Sequence, residues 1–138
     1  MKTVITFGTF DLFHIGHLSI LNRSKELGDK LIVGISSDEL NFSKKNKYPI
    51  YDYNQRRDIL KSIKGVDKVF KEESLEKKRE YILNYNADTL VMGDDWEGKF
   101  DFLRNHCEVV YLPRTDDISS TEIKKQMDAF LKEHSIEL

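Results

Sequence analysis

Two histidines three residues apart, His14 and His17, close the stretch Thr6-Phe7-Gly8-Thr9-Phe10-Asp11-Leu12-Phe13-His14-Ile15-Gly16-His17. A β-branched run, Thr3-Val4-Ile5, stands just before it and a helical pattern follows. A strand is thus expected to run through a glycine turn into a helix. Residues i and i+3 share a helix face, so both imidazoles can point at one object. A helix start presents unpaired N–H groups and the positive end of the dipole. The natural object is therefore an anion such as phosphate. Zinc is rejected, because His-x-x-x-His is the commoner metal spacing on a helix and no third ligand stands out.

Other groups with chemical potential follow further along: Ser37 and Asp38, then Ser43-Lys44-Lys45-Asn46-Lys47, then Gly93-Asp94-Asp95-Trp96, then Pro113-Arg114-Thr115 and Ile118-Ser119-Ser120-Thr121. Each has a plain structural reading. The lysines suit a solvated loop, Asp94-Asp95 a turn or helix cap, and Trp96 either core or an exposed loop. Ser119-Ser120-Thr121 suits an N-cap run, which is also a good phosphate site. Arg114 has the planar fork that matches phosphate.

The elements that must position these groups alternate along the chain. Expected strands are Thr3 to Phe7, Lys30 to Ser36, Lys68 to Phe70, Thr89 to Met92 and Glu108 to Leu112. Runs such as Leu31-Ile32-Val33-Gly34-Ile35 are continuously apolar, which suits strands covered on both faces of a parallel sheet. Expected helices are Ile15 to Leu27, Tyr53 to Ile63, Leu75 to Tyr85 and Thr121 to Leu131, with Gly28 closing the first. This order implies an α/β, Rossmann-like three-layer sandwich with a five-stranded parallel sheet, its crossovers right-handed. Asn41 to Tyr53 breaks the rhythm and is expected to be a long basic loop, a mobile lid over polyanionic substrates. Ligands of open parallel sheets bind beyond the carboxyl ends of the strands. Every polar group named above follows a strand, so they should gather along one edge.

The 138 residues suit a single domain, 1–138, able to bury a core without disulfides, and there is one cysteine, Cys107. Charged residues make up 33% and the net charge is −2, which argues against an electrostatic nucleic-acid or membrane binder. No signal peptide or membrane span is recognised, so the expected location is cytoplasmic.

Gly8-Thr9-Phe10-Asp11-x-x-His14-x-Gly16-His17, with Ile118-Ser119-Ser120-Thr121 opening the last helix, resembles the nucleotidyltransferase superfamily and its HxGH and ISSTxxR-like signatures. The stretches Val91 to Asp101 and Glu108 to Thr115 narrow the likeness to the bacterial glycerol-3-phosphate cytidylyltransferase family, from Lys2 to about Met127. The resemblance implies that CTP and sn-glycerol 3-phosphate give CDP-glycerol and pyrophosphate, by in-line attack on the α-phosphorus with no covalent intermediate. It implies that His14 and His17 hold the α- and β-phosphates. Gly8 and Gly16 leave room for nucleotide, Phe10 lies at the nucleotide, Thr9 donates its hydroxyl to phosphate, and Asp11 orients a neighbour or the metal on the substrate side.

It further implies that Lys44, Lys47 and Arg56 reach triphosphate and glycerol phosphate, and that Arg114 acts catalytically beside the nucleotide. Ser119 and Ser120 take the β/γ-phosphates, with Asp94, Thr115 and Ile118 also on the nucleotide side. Asp38 and Trp96 take the glycerol-phosphate or ribose side. Mg2+ would accompany CTP. The family is commonly dimeric, Phe100, Phe102 and Leu103 covering either core or interface, and its product feeds wall teichoic acid or capsule.

Three departures stand out. Asp117 replaces a family glycine, Lys64 stands where arginine is common, and Pro49-Ile50 lengthens the lysine loop, making Lys45 a possible substitute for its neighbours. The rival readings are a relative with another phosphorylated alcohol or sugar acceptor, and a non-catalytic nucleotide-binding module. A class I aminoacyl-tRNA synthetase shares the His-x-Gly-His signature but needs a far longer chain.

Overall fold

In the computed structural model, which describes residues 1–113 and 120–133, five strands run over Thr3–Gly8 (β1), Lys30–Ser36 (β2), Lys68–Glu72 (β3), Thr89–Gly93 (β4) and Glu108–Leu112 (β5). Helices occupy Ile15–Glu26 (α1), Asp38–Lys45 (α2), Tyr53–Lys61 (α3), Lys78–Asn84 (α4) and Ser120–Glu133 (α5). All strand pairs are parallel, in the order β3-β2-β1-β4-β5. The α/β sandwich expected from the sequence is the one observed.

Successive side chains on a strand face opposite sides, and β1 divides its residues accordingly. Val4 joins Leu21, Leu31, Val33, Leu60 and Val91 in one core. Ile5 and Phe7 join Ile32, Ile82, Leu90, Met92, Phe100 and Leu103 in the other. Two faces, each sealed by apolar contacts, account for the continuous hydrophobic runs. Phe100 and Leu103 therefore belong to the core, while Phe102 is 66% exposed.

Strand order reverses at β1, whose neighbours are β2 and β4. The β1–β4 seam is stapled by Thr6 Oγ1 donating to the Val91 carbonyl at 2.6 Å. At its lower end Thr3 N–H donates to Asp88 Oδ2 and Asp88 N–H to the Thr3 carbonyl, both at 2.8 Å. The crevice that opens at such a reversal is where open α/β sheets bind ligands.

The expected long loop is shorter than Asn41 to Tyr53, because its first five residues continue a helix. α2 starts at the N-cap Ser37, whose hydroxyl accepts from Leu40 N–H, with Asp38 and Glu39 in its first turn and Lys44 and Lys45 in its last. Acid at the start and base at the end both favour the helix dipole. Asn46 ends it in the left-handed conformation, φ 56°. Only residues 46–52 connect it to α3, which opens with a capping box between Asp52 and Gln55. The expected helix from Leu75 divides into a 3-10 turn, Leu75–Lys77, and α4. Among the described residues no helix is long and apolar enough to cross a membrane.

Candidate active site

β1 delivers the chain to the reversal point, and the turn that follows is held in an uncommon shape. Phe10 and Leu12 have φ of 55° and 51°, a left-handed region that non-glycine residues seldom occupy. Asp11, buried between them, compensates. Its carboxylate accepts Leu12 N–H at 3.1 Å, Ile50 N–H at 2.8 Å and Tyr51 N–H at 2.9 Å. Lys124 of α5 stands 3.5 Å from it. Asp11 lines the cavity and orients its neighbours: backbone donors and an ammonium engage it, and it ties the loop after α2 and α5 to the turn. Phe10 is likewise buried, its ring edge-on to His17 at 5.4 Å between centroids. Gly8 is needed beneath it, since a Cβ there would lie 2.8 Å from the Phe10 ring.

His14 and His17 stack at 3.8 Å between ring centroids. Each is also a helix cap: His14 Nδ1 accepts Gly16 N–H at 3.0 Å, and His17 Nδ1 accepts the His14 N–H at 3.3 Å. A neutral imidazole that accepts at Nδ1 carries its proton at Nε2. Both rings are therefore set as Nε2–H donors by the backbone itself. His14 Nε2 is buried with no hydrogen-bond partner among the described residues. Burial lowers the pKa of His14, and it lowers that of His17 to about 4, with His14 adding to the fall and Asp11 opposing it. At neutral pH the pair acts as two neutral donors.

In the ligand-free protein the His17 ring should titrate near pH 4, against 6.5 for an ordinary histidine, as read by NMR of its ring carbons. The sign for stability follows. The unfolded chain takes the proton first, so stability is full above about pH 6.5 and falls as pH drops towards 4. A midpoint at or above 6.5 would contradict the buried, neutral assignment.

The histidines line a cavity of about 470 Å³. Gly8, Thr9 and Gly16 share the wall, as do Lys45, Lys47 and Tyr48 from α2 and the loop after it, and Gly93, Asp95 and Trp96 after β4. Thr121 and Lys124 of α5 complete it. Asp95 takes the wall position expected of Asp94, whose residue lies outside the lining. A Cβ on Gly93 would fall 2.7 Å from Asp95 Oδ1, so a side chain there would displace the exposed Asp95 carboxylate. Trp96 is half-buried with its ring 5.5 Å from Phe100. Thr9 lines the cavity, and without ligand its hydroxyl proton goes to Asn41 Oδ1 at 2.8 Å.

Arg56 and Asp38 are brought together, yet away from the cavity wall. Arg56 is fully buried and donates to the carbonyls of Tyr51, Thr9 and Ser36 and to Asp38 Oδ1, at 2.7–3.0 Å. Asp38 Oδ2 accepts Tyr53 N–H at 3.2 Å. The expected reach of Arg56 to phosphate is thus corrected, and Asp38, expected on the glycerol-phosphate or ribose side, is off the wall: guanidinium and carboxylate satisfy each other and the backbone beneath the site. Lys44 is also off the wall. It is exposed as a residue, yet its ammonium loses enough water to lower its pKa, with Glu72 opposing and Lys45, Lys78 and Arg56 adding. Arg114, Thr115, Ile118 and Ser119 lie outside the described residues, and Ser120 is the first residue of α5.

Three contributors escaped the sequence. Lys78 pairs with Glu72 at 2.7 Å, both buried, its ammonium 4.2 Å from the Phe7 ring centre. Burial lowers its pKa against the pull of Glu72. No spacing announces that pair. Asn41 carries no charge to mark it. Lys124 was the legible one, since it stands one turn after Thr121 on the same helix face.

The cytidylyltransferase-like family profile matches residues 5–126. The chain is 54% identical over 127 residues to glycerol-3-phosphate cytidylyltransferase of Bacillus subtilis, covering 92% of this chain and 98% of that protein. It is 50% identical over 127 residues to the enzyme of the same name from Staphylococcus aureus, covering 92% and 96%. Among solved structures it is similar to a lipopolysaccharide core biosynthesis protein from Thermoplasma volcanium, with TM-score 0.71, 26% identity, and 84% and 99% of the two chains covered.

Proposed function

Because this chain belongs to the cytidylyltransferase-like family, we propose that it is a glycerol-3-phosphate cytidylyltransferase, converting CTP and sn-glycerol 3-phosphate to CDP-glycerol and pyrophosphate. The observation that carries the chemistry is the histidine pair, with both Nδ1 atoms occupied by backbone N–H donors. The acceptor follows from the 54% and 50% identity to enzymes of that name over nearly their whole length.

A phosphate oxygen of the acceptor forms a bond to the α-phosphorus of CTP. The bond from that phosphorus to the bridging oxygen breaks, and pyrophosphate leaves with the electron pair. Nothing has to be ionised on the protein, so catalysis is placement and charge stabilisation. His14 and His17 donate Nε2–H to the α- and β-phosphates as charge shifts onto their oxygens. Lys45, Lys47 and Lys124 neutralise the triphosphate from the two other walls. Among the charged groups around Lys44, Arg56 is paired with Asp38 and Lys78 with Glu72. Among the described residues that leaves Lys44 and Lys45 without an ion pair, and the Lys44 ammonium, off the cavity wall, suits the acceptor phosphate.

Mg2+ belongs to the same reading. Among the described residues no group of three His, Cys, Asp or Glu is placed to hold an ion. Mg2+ is commonly held by one or two carboxylates together with substrate phosphates, and Asp95 is a carboxylate on the cavity wall that would help hold it. Bound there, it would neutralise phosphate charge. We take the enzyme to be a cytoplasmic homodimer, with exposed Phe102 among the apolar surface available for association. Its product would serve wall teichoic acid or capsular polymer synthesis.

A panel of the four NTPs against glycerol 3-phosphate, phosphocholine, phosphoethanolamine and a sugar phosphate, with Mg2+ and pyrophosphate release as readout, tests the assignment. CTP with glycerol 3-phosphate should be the fastest pair. Robust turnover of phosphocholine or a sugar phosphate, without turnover of glycerol 3-phosphate, would overturn the acceptor.

A further inference from the structure

Asn41 is neutral, 2% exposed, and yet on the cavity wall. Nothing in the reaction above uses it. Its amide can face only one way. Nδ2 stands 3.0 Å from the Ser37 carbonyl and 3.4 Å from that of Ser36, and carbonyls only accept. The nitrogen must face them, so Oδ1 faces Thr9 and accepts its hydroxyl proton at 2.8 Å. Nδ2 also donates to Ser36 Oγ at 3.0 Å. Ser36 keeps its own proton and has two acceptors in reach, Thr9 Oγ1 at 3.2 Å and the Gly8 carbonyl at 3.4 Å; the nearer, Thr9, closes the ring. The three side chains close a ring, Asn41 to Ser36 to Thr9 to Asn41, in which every member both donates and accepts.

Each member belongs to a different piece of the site. Thr9 is in the turn after β1, Ser36 ends β2, and Asn41 lies on α2. Lys44 and Lys45 stand three and four residues beyond Asn41 on that helix, hence on the same face. Buried polar networks in which all members are satisfied favour one arrangement, because losing one member leaves the others unpaired.

We propose that Asn41 is a positioning residue, which through this ring holds the lysine-bearing helix α2 in register with the nucleotide-binding turn. A nucleotide that settles against Thr9 then sets where Lys44 and Lys45 stand for the acceptor. That last step rests on the cytidylyltransferase reading, whereas the coupling between turn and helix does not.

The test is a CTP titration of the isotope-labelled protein, watching the amides of Glu39 and Leu40, which lie on α2 but do not line the cavity. In the unaltered chain both should shift on CTP binding. In Asn41→Ala, CTP affinity should stay within about threefold, while the two shifts shrink by more than half. The kinetic counterpart is a fall of about tenfold in kcat with a raised KM for glycerol 3-phosphate and little change in KM for CTP. Thr9→Val cuts the same ring from the other side and carries the test should Asn41→Ala fail to fold; Thr9→Ser, which keeps the hydroxyl, should restore the shifts. Undiminished α2 shifts in a folded variant, no shifts in the unaltered chain, or equal loss in both KM values and kcat would each overturn the proposal. Absence of turnover with glycerol 3-phosphate in the unaltered enzyme would instead sink the acceptor assignment, with the amide shifts still deciding the role of Asn41.

Discussion

Replacing His17 with alanine lowers kcat about 10²- to 10³-fold, the usual cost of one transition-state donor at about 2.7–4 kcal/mol, and leaves the KM for CTP nearly unchanged. The split arises because the Nε2–H meets most of its charge when the phosphorus is five-coordinate, not in the bound ground state. Further contacts, besides the stacked His14 ring, keep that donor in place. Phe10 and Phe13 pack on the ring at 5.4 and 5.5 Å between centroids, and the His14 N–H holds Nδ1. The same N–H bond caps α1, so the variant also loses about 1 kcal/mol of stability, which a melting curve separates from the kinetic loss. Steady-state kinetics at saturating CTP and acceptor read the effect. Unchanged turnover would remove His17 from the chemistry.

Arg56→Ala acts on a different quantity. It unfolds the protein more easily by about 3–5 kcal/mol, because a buried ion pair is broken and its partners stay behind. Asp38 and the carbonyls of Thr9, Ser36 and Tyr51 all lose a donor at once. Arg56→Lys does not restore stability, since one ammonium cannot span four acceptors in three directions. Urea denaturation of the folded variants measures this directly. Were stability unchanged and only the KM for glycerol 3-phosphate raised, the guanidinium would be acting on substrate rather than beneath it.

Arg56 also marks where the sequence stopped being legible. Its charge and its place after a lysine run point to phosphate as readily as to a carboxylate. Only the arrival of Asp38 and three carbonyls at one point decides between them. Asp11 was ambiguous for the same reason. The sheet was easier, because continuous apolar runs such as Leu31 to Ile35 record burial on both faces without reference to any partner. The histidine pair was legible because its spacing keeps the two rings close, but His14 is the extended N-cap before α1, and the capping box rather than a shared helix face stacks the rings. α2 could have been read from Ser37-Asp38-Glu39 followed by Lys44-Lys45, but the density of lysines suggested solvent. Asn41 gave no signal at all, since its partners, Thr9 and Ser36, are brought to it by the fold.

The β1–β4 seam has a consequence for how the enzyme comes into being. Residues joined across it, such as Thr6 and Val91, are 85 positions apart, so this pairing closes one of the largest loops in the chain. The cavity spans that seam, with His14 and His17 on one side and Gly93, Asp95 and Trp96 on the other. A growing chain displays its histidine turn long before β4 exists to wall it in. A ligand that holds both sides of the seam would favour the finished molecule over every partly made one.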